Sequence, residues 1–175
     1  MQQHRALILR SNRFLGSALV EKNLITTEDL EAANEKLLEC LQNGDFKRAS
    51  LLKILLYEME CLDEDAIIEY QVENYSLGLV DLTNYTLAKL ADIGVDYEAC
   101  LATWSLPFDK VENFYLVATT YYLSPPVIKF WEEQLKGPVI WYCCTLGCMT
   151  TAFDWLESVI TEGAVNTGAD AQSRK

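Results

Sequence analysis

Leu15-Gly16-Ser17-Ala18-Leu19-Val20-Glu21-Lys22-Asn23-Leu24-Ile25-Thr26-Thr27-Glu28-Asp29-Leu30 is the stretch whose reading decides the fold. An apolar helical run stops at Asn23, a residue that tolerates the left-handed conformation closing a helix. The apolar pair Leu24-Ile25 follows. Thr26 or Thr27 then caps a second helix, with Glu28 and Asp29 in its electrostatically favourable first turn. The same order returns, half erased, in Leu52-Lys53-Ile54-Leu55-Leu56-Tyr57-Glu58-Met59-Glu60-Cys61-Leu62-Asp63-Glu64-Asp65-Ala66-Ile67. A repeated supersecondary unit buries its apolar face against its twin, so residues 1–75 are expected to form a helical lobe of two tandem helix pairs.

Working outward, residues 1–10 read as a short lead-in helix or arm. Helices are expected over about 12–22, 27–42, 47–59 and 64–75, with Asn43-Gly44-Asp45 as a turn. After Gly78 the pattern changes. Leu79-Val80-Asp81-Leu82 and Leu106-Pro107-Phe108 read as extended, and Thr86–Ala91 and Asp96–Thr103 as short helices. Residues 114–119 and 139–143 are rich in β-formers and read as strands. Pro125 or Pro126 opens a helix that runs to Lys136, and a last helix spans Thr150–Ile160. The fold class is therefore α+β: an N-terminal helical lobe of two tandem helix pairs, then a small α/β lobe over 76–162. The polar stretch 163–175 reads as a disordered tail.

Composition narrows the function. The chain has 175 residues, half of them apolar, and a net charge of −12. Such acidity argues against nucleic acid and anionic membranes as partners, and Lys47, Arg48 and Lys53 read as a solvated face. No apolar run is long enough to span a bilayer, and no signal-peptide pattern opens the chain. A cytoplasmic location with reduced cysteines is expected.

In order and spacing these motifs resemble the N-terminal domain of type II secretion and type IV pilus assembly ATPases. That family repeats Arg-Leu-Gly, a short helix, Gly-Leu-Ile, four residues, Leu and a later Gln, twice in tandem. A stretch ending in Val-Asp-Leu follows, here Val80-Asp81-Leu82, and then a Leu-Pro step, a strand ending in Val-Ala and a helix–strand–helix close. Phe14 stands at the first Arg position with Arg13 one residue early. Asn23 replaces a Gly and Leu37 a Gln. In the second copy Leu51, Lys53, Glu60 and Asn74 replace Arg, Gly, Gly and Gln.

The resemblance implies a non-catalytic adaptor that docks to proteins of a secretion or pilus platform. One branch of the family binds cyclic di-GMP. Carried onto this chain, that alternative would use Arg13, Leu15, Gly16, Asn23, Leu24 and Ile25: guanidinium to phosphate or guanine edge, backbone approach at glycine, apolar cover on the bases. No phosphate-cradling Gly-x-x-x-x-Gly-Lys-Ser/Thr loop occurs, and no glycine precedes a lysine. The chain is expected to be either a free-standing relative or a piece of a longer protein, and not the motor.

No catalytic constellation stands out. Cys143, Cys144 and Cys148 lack a second ligand pair, and adjacent strand cysteines point to opposite faces, so neither a metal nor any other cofactor is expected. The single histidine, His4, lies far from these thiols in sequence, which leaves a thiol nucleophile without a base. The aromatic-edged loop formed by Tyr121, Tyr122, Leu123, Pro125 and Pro126 is the expected protein-docking site, because aromatic residues are enriched at interfaces.

Overall fold

The computed structural model describes residues 4–85, 93 and 95–169, with side chains described through Thr161. The expected helix Thr86–Ala91 lies outside the described residues. Helix α1 spans Arg5–Glu21, α2 spans Thr27–Gln42 and α4 spans Glu64–Tyr75. The intervening α3, Leu51–Lys53, continues as a wide π turn over Ile54–Glu58. The lead-in arm is part of α1, because Ile8, Ser11, Asn12, Leu15 and Leu19 share one buried stripe.

Both helix starts inside the repeat carry the expected caps. Thr26 accepts from the Asp29 N–H while the Asp29 carboxylate accepts from the Thr26 N–H. The Thr26 hydroxyl, and after it the Thr26 N–H, donate to the Asp29 carboxylate and hold it below its ordinary pKa. Asp63 caps α4 through the Asp65 N–H. α3 starts at Leu51 rather than near residue 47, because Ser50 is extended and its hydroxyl accepts from the Lys53 N–H.

The second half is a four-stranded mixed sheet in the order β1-β4-β3-β2. Its strands are β1 (Gly78–Leu79), β2 (Ser105–Val111), β3 (Phe114–Thr119) and β4 (Val139–Cys143). β4 runs parallel to both β1 and β3, and β2 pairs antiparallel with β3. Pro107 lacks an N–H and sits on edge strand β2, where a register shift between Pro107 and Asp109 interrupts the ladder. Around the sheet lie α5 (Tyr97–Thr103), α6 (Pro125–Leu135) and α7 (Leu146–Ala169). α7 starts four residues earlier than expected, because Thr145 accepts from the Cys148 N–H. Its backbone continues through Ala169, into the stretch expected to be a tail.

The two halves share one apolar core that runs from Ile8 to Leu156. At its centre is a buried polar hub. The Tyr121 hydroxyl donates to Asn12 Oδ1 at 2.6 Å and lies 3.0 Å from Ser50 Oγ. The same Asn12 oxygen accepts from the Leu51 N–H at 2.8 Å, and its amide donates to the Ile8 carbonyl. Every member of the hub is thus hydrogen-bonded.

Two stability outcomes follow from this packing. Tyr121→Phe should cost about 1–2 kcal/mol in chemical denaturation, and Asn12→Ala more, since it leaves buried donors unpaired. Burial pushes the Tyr121 phenol far above its usual pKa. Above about pH 10 the unfolded chain releases this proton and the folded one keeps it. Stability should therefore fall as pH rises past that point, less steeply in Tyr121→Phe. Glu60 closes the second repeat turn at φ 52, as Asn23 closes the first at φ 56. Glu60→Gly should raise stability by roughly 1 kcal/mol and Asn23→Gly by less, because asparagine tolerates that region better.

Candidate functional site

The structure separates the residues of the expected dinucleotide motif. Leu15 is fully buried and Ile25 nearly so, both in the core. Gly16 is buried where α1 meets its neighbours. A Cβ there would stand 2.4 Å from a Leu30 methyl and 3.0 Å from a Leu51 methyl. The glycine therefore lets helices pack closely, and leucines fill the space over it. Asn23 is exposed in its left-handed turn, with Leu24 half-buried beside it. Arg13 is exposed on α1 and makes no ion pair among the described residues. Arg13 and Asn23 lie about 15 Å apart along the helix axis by its rise per residue.

The expected docking loop divides differently. Tyr121 is wholly buried and Pro126 is also inside, so neither stands on a surface. This corrects the reading of both as docking residues. The cause is the hub: the Tyr121 hydroxyl finds its partners on α1 and at the start of α3. Its N–H also donates to Thr119 Oγ1 at 2.9 Å. With Tyr121 turned inward, Tyr122 is turned toward the surface. Ser124 then locks the loop, its hydroxyl donating to the Ser11 carbonyl at 3.0 Å.

Outside this anchor lies an open groove of about 460 Å³ lined by Tyr75, Tyr122, Leu123, Pro125, Ile128, Lys129 and Glu132. Tyr75 is the last residue of α4, and Ser76 leaves that helix at φ 54. Tyr75 meets Tyr122 edge-on at 5.3 Å between ring centroids. The contact chain extends to Tyr70 at 6.0 Å from Tyr75, and to Trp141 at 6.2 Å from Tyr122. Lys22 stands 5.7 Å from the Tyr70 ring centroid, and its ammonium pKa is raised chiefly by a hydrogen bond to Tyr70. Burial raises the Tyr122 phenol pKa. Tyr122, Leu123 and Pro125 were legible as site candidates. Tyr70 and Tyr75 were missed, because two tyrosines on a polar helix carry no signal until the sheet half folds against them.

The arrangement offers aromatic and aliphatic surface with one cation and one anion on its rim, which is chemistry for recognition. Among the described residues no group of three or more His, Cys, Asp or Glu side chains could hold a metal ion. Also among them, no helix is long and apolar enough to cross a membrane.

No family model matches the chain, and no curated relative matches it. Solved structures do. The N-terminal domain of XpsE matches in two crystal forms, with TM-scores of 0.50 and 0.52 at 15% and 13% identity. These alignments cover 79% and 82% of this chain and 90% and 94% of the other. The fold is that of the XpsE N-terminal domain. A structure of MshE with cdg matches at a TM-score of 0.49 and 17% identity, over 80% of this chain and 96% of that one. The α+β fold implied by the resemblance to secretion and pilus ATPase N-terminal domains is therefore the fold found.

The motif residues differ in what their loss should do. Leu15→Ala should cost about 2–5 kcal/mol, as for other buried leucines. Arg13→Ala should leave stability within about 0.5 kcal/mol. Urea denaturation of both variants checks this division between core and surface.

Proposed function

We propose that this chain is a non-catalytic protein-interaction module that docks a secretion or pilus platform protein in the cytoplasm through the Tyr75–Tyr122 groove. The observation that carries the reading is the open aromatic wall itself. Tyr75 remains 45% exposed although it is held edge-on against Tyr122. An aromatic pair fixed by its own packing loses little freedom on binding, which is why tyrosines serve as interface anchors.

The groove favours a partner segment with an apolar side chain for the Tyr122–Leu123–Ile128 floor. The chain's net charge of −12 favours basic residues around that side chain. Complementary charge of this kind speeds association and selects partners more than it adds affinity. The non-catalytic part of the reading rests on the absence of any catalytic constellation in the sequence.

Cyclic di-GMP is the competing occupant, and MshE was solved with cdg bound. In this chain leucines cover Gly16, Leu15 is in the core, and the second copy carries Lys53 and Glu60 where the pattern has glycines. A carboxylate at Glu60 opposes a doubly anionic ligand.

Calorimetry separates the two. The chain should bind the cytoplasmic domain of the platform protein from its own secretion or pilus system. Tyr75→Ala and Tyr122→Ala should each weaken that binding about tenfold or more, as interface tyrosines do, while Arg13→Ala leaves it unchanged. Saturable heat with cyclic di-GMP that disappears in Arg13→Ala would overturn the docking reading in favour of a ligand sensor.

A further inference from the structure

The Tyr75–Tyr122 groove is built to select one conformation of bound chain. Tyr70, Tyr75, Tyr122 and Trp141 form a row of rings in which each meets the next edge-on, at centroid separations of 6.0, 5.3 and 6.2 Å. The planes of the two central rings are inclined at 65°, so they form a ridged surface rather than a flat one. Among the described residues the hydroxyls of Tyr75 and Tyr122 have no hydrogen-bond partner. The two charges on the rim differ. Lys129 is paired with Glu133 at 3.7 Å. Glu132 makes no ion pair among the described residues.

These features discriminate between the three common ways of holding a segment of chain. Strand addition needs an open sheet edge, and the groove is lined instead by the end of α4, the loop after β3 and the first turns of α6. A helix uses its backbone carbonyls internally. It would cover the two tyrosine hydroxyls without giving them acceptors, and a buried unpaired hydroxyl is costly. A polyproline II segment has no internal hydrogen bonds, so its carbonyls are open to donors. Its proline rings are apolar, carry no N–H and are already stiff. Two of its residues rise about 6 Å, close to the 5.3 Å between the Tyr75 and Tyr122 rings. Successive residue pairs can therefore each rest on one ring.

We propose that the groove binds a proline-rich polyproline II segment flanked by an arginine or lysine, a partner class that rests on the docking reading above. The prolines pack on Tyr75 and Tyr122. The two hydroxyls donate to carbonyls of the segment, and the flanking cation pairs with Glu132. The chain's net charge of −12 reinforces the choice of a basic flank.

The probes are the blocked peptide Pro-Pro-Leu-Pro-Pro-Leu-Pro with arginine at its N-terminal end, the same peptide with arginine at its C-terminal end, and controls in which alanine replaces every proline. Each is titrated into the full isotope-labelled chain and followed by amide chemical shifts. At least one arginine peptide should bind saturably, with shifts centred on Tyr75, Tyr122 and Ile128, and its alanine control at least tenfold more weakly. Tyr75→Phe and Tyr122→Phe keep the rings, and each should weaken binding about threefold or more, as loss of one hydrogen bond does. Glu132→Gln should weaken it about twofold or more and flatten its salt dependence. Absence of saturable shifts with both arginine peptides, equal binding of the alanine controls, or undiminished binding by the double phenylalanine variant overturns the proposal. The platform domain separates that failure from failure of the docking reading. Platform binding that Tyr122→Ala abolishes but neither peptide competes away leaves the groove as a docking site for a segment of another conformation. Platform binding that survives Tyr122→Ala unchanged removes the docking reading itself.

Discussion

The Tyr121 hydroxyl between Asn12 and Ser50 is the contact on which the rest of the structure depends. Its partners come from α1 and from the residue that caps α3, and Tyr121 itself lies in the loop leaving β3, so three segments distant in sequence meet at this cluster. Apolar packing alone would let α1 slide or rotate against the sheet half, since hydrophobic contacts carry no direction. A buried hydrogen-bonded cluster does not permit that freedom, because any slip strands donors away from water. Ser124 bonded to the Ser11 carbonyl repeats the constraint one turn away. Glu64 also reaches the first N–H of α7, and the Lys47–Glu157 ion pair joins the segment before α3 to α7.

The groove is a consequence of that seam. Tyr75 comes from the helical half, and Tyr122, Leu123, Pro125 and Ile128 come from the sheet half. Neither half has the groove alone. Its geometry depends on the same hydrogen bonds that fix the relative position of the halves, because turning Tyr121 inward turns Tyr122 outward. A groove built across a satisfied polar seam is preorganised, and preorganisation lowers the cost of ordering side chains on any binding.

What the sequence made legible was local. The capping residues Thr26 and Asp63, the left-handed stop at Asn23, the strands over 114–119 and 139–143 and the proline start of α6 each depend on neighbours within a turn or two. What stayed hidden was long-range. Nothing near Tyr121 says that its hydroxyl belongs with residues 12 and 50, so an aromatic loop read as wholly exposed. α1 was divided because its first turn has no acidic residue and no side-chain cap that the sequence could signal. The start of α7 was missed because the cap that sets it, Thr145 accepting from the Cys148 N–H, lies in a stretch given no element of its own. The candidate site was half legible: the loop was found, and its α4 wall was not.

The two repeat turns keep one backbone course with different residues. Both repeat turns pass through the left-handed region, yet glycine stands at neither, and Glu60 bears the larger steric cost of the two. The flanking bonds explain why the turn survives: Leu24 N–H returns to the Leu19 carbonyl, and Cys61 N–H to the Leu55 carbonyl. These satisfy helix-end acceptors that would otherwise be left open. Gly16 persists for a different reason, since Leu30 and Leu51 press on it, whereas its counterpart Lys53 extends over the Trp104 ring at 5.3 Å. Packing requires a glycine at the first position and accommodates a long side chain at the second. The two copies therefore share their turns and caps while differing in what packs at the equivalent helix positions.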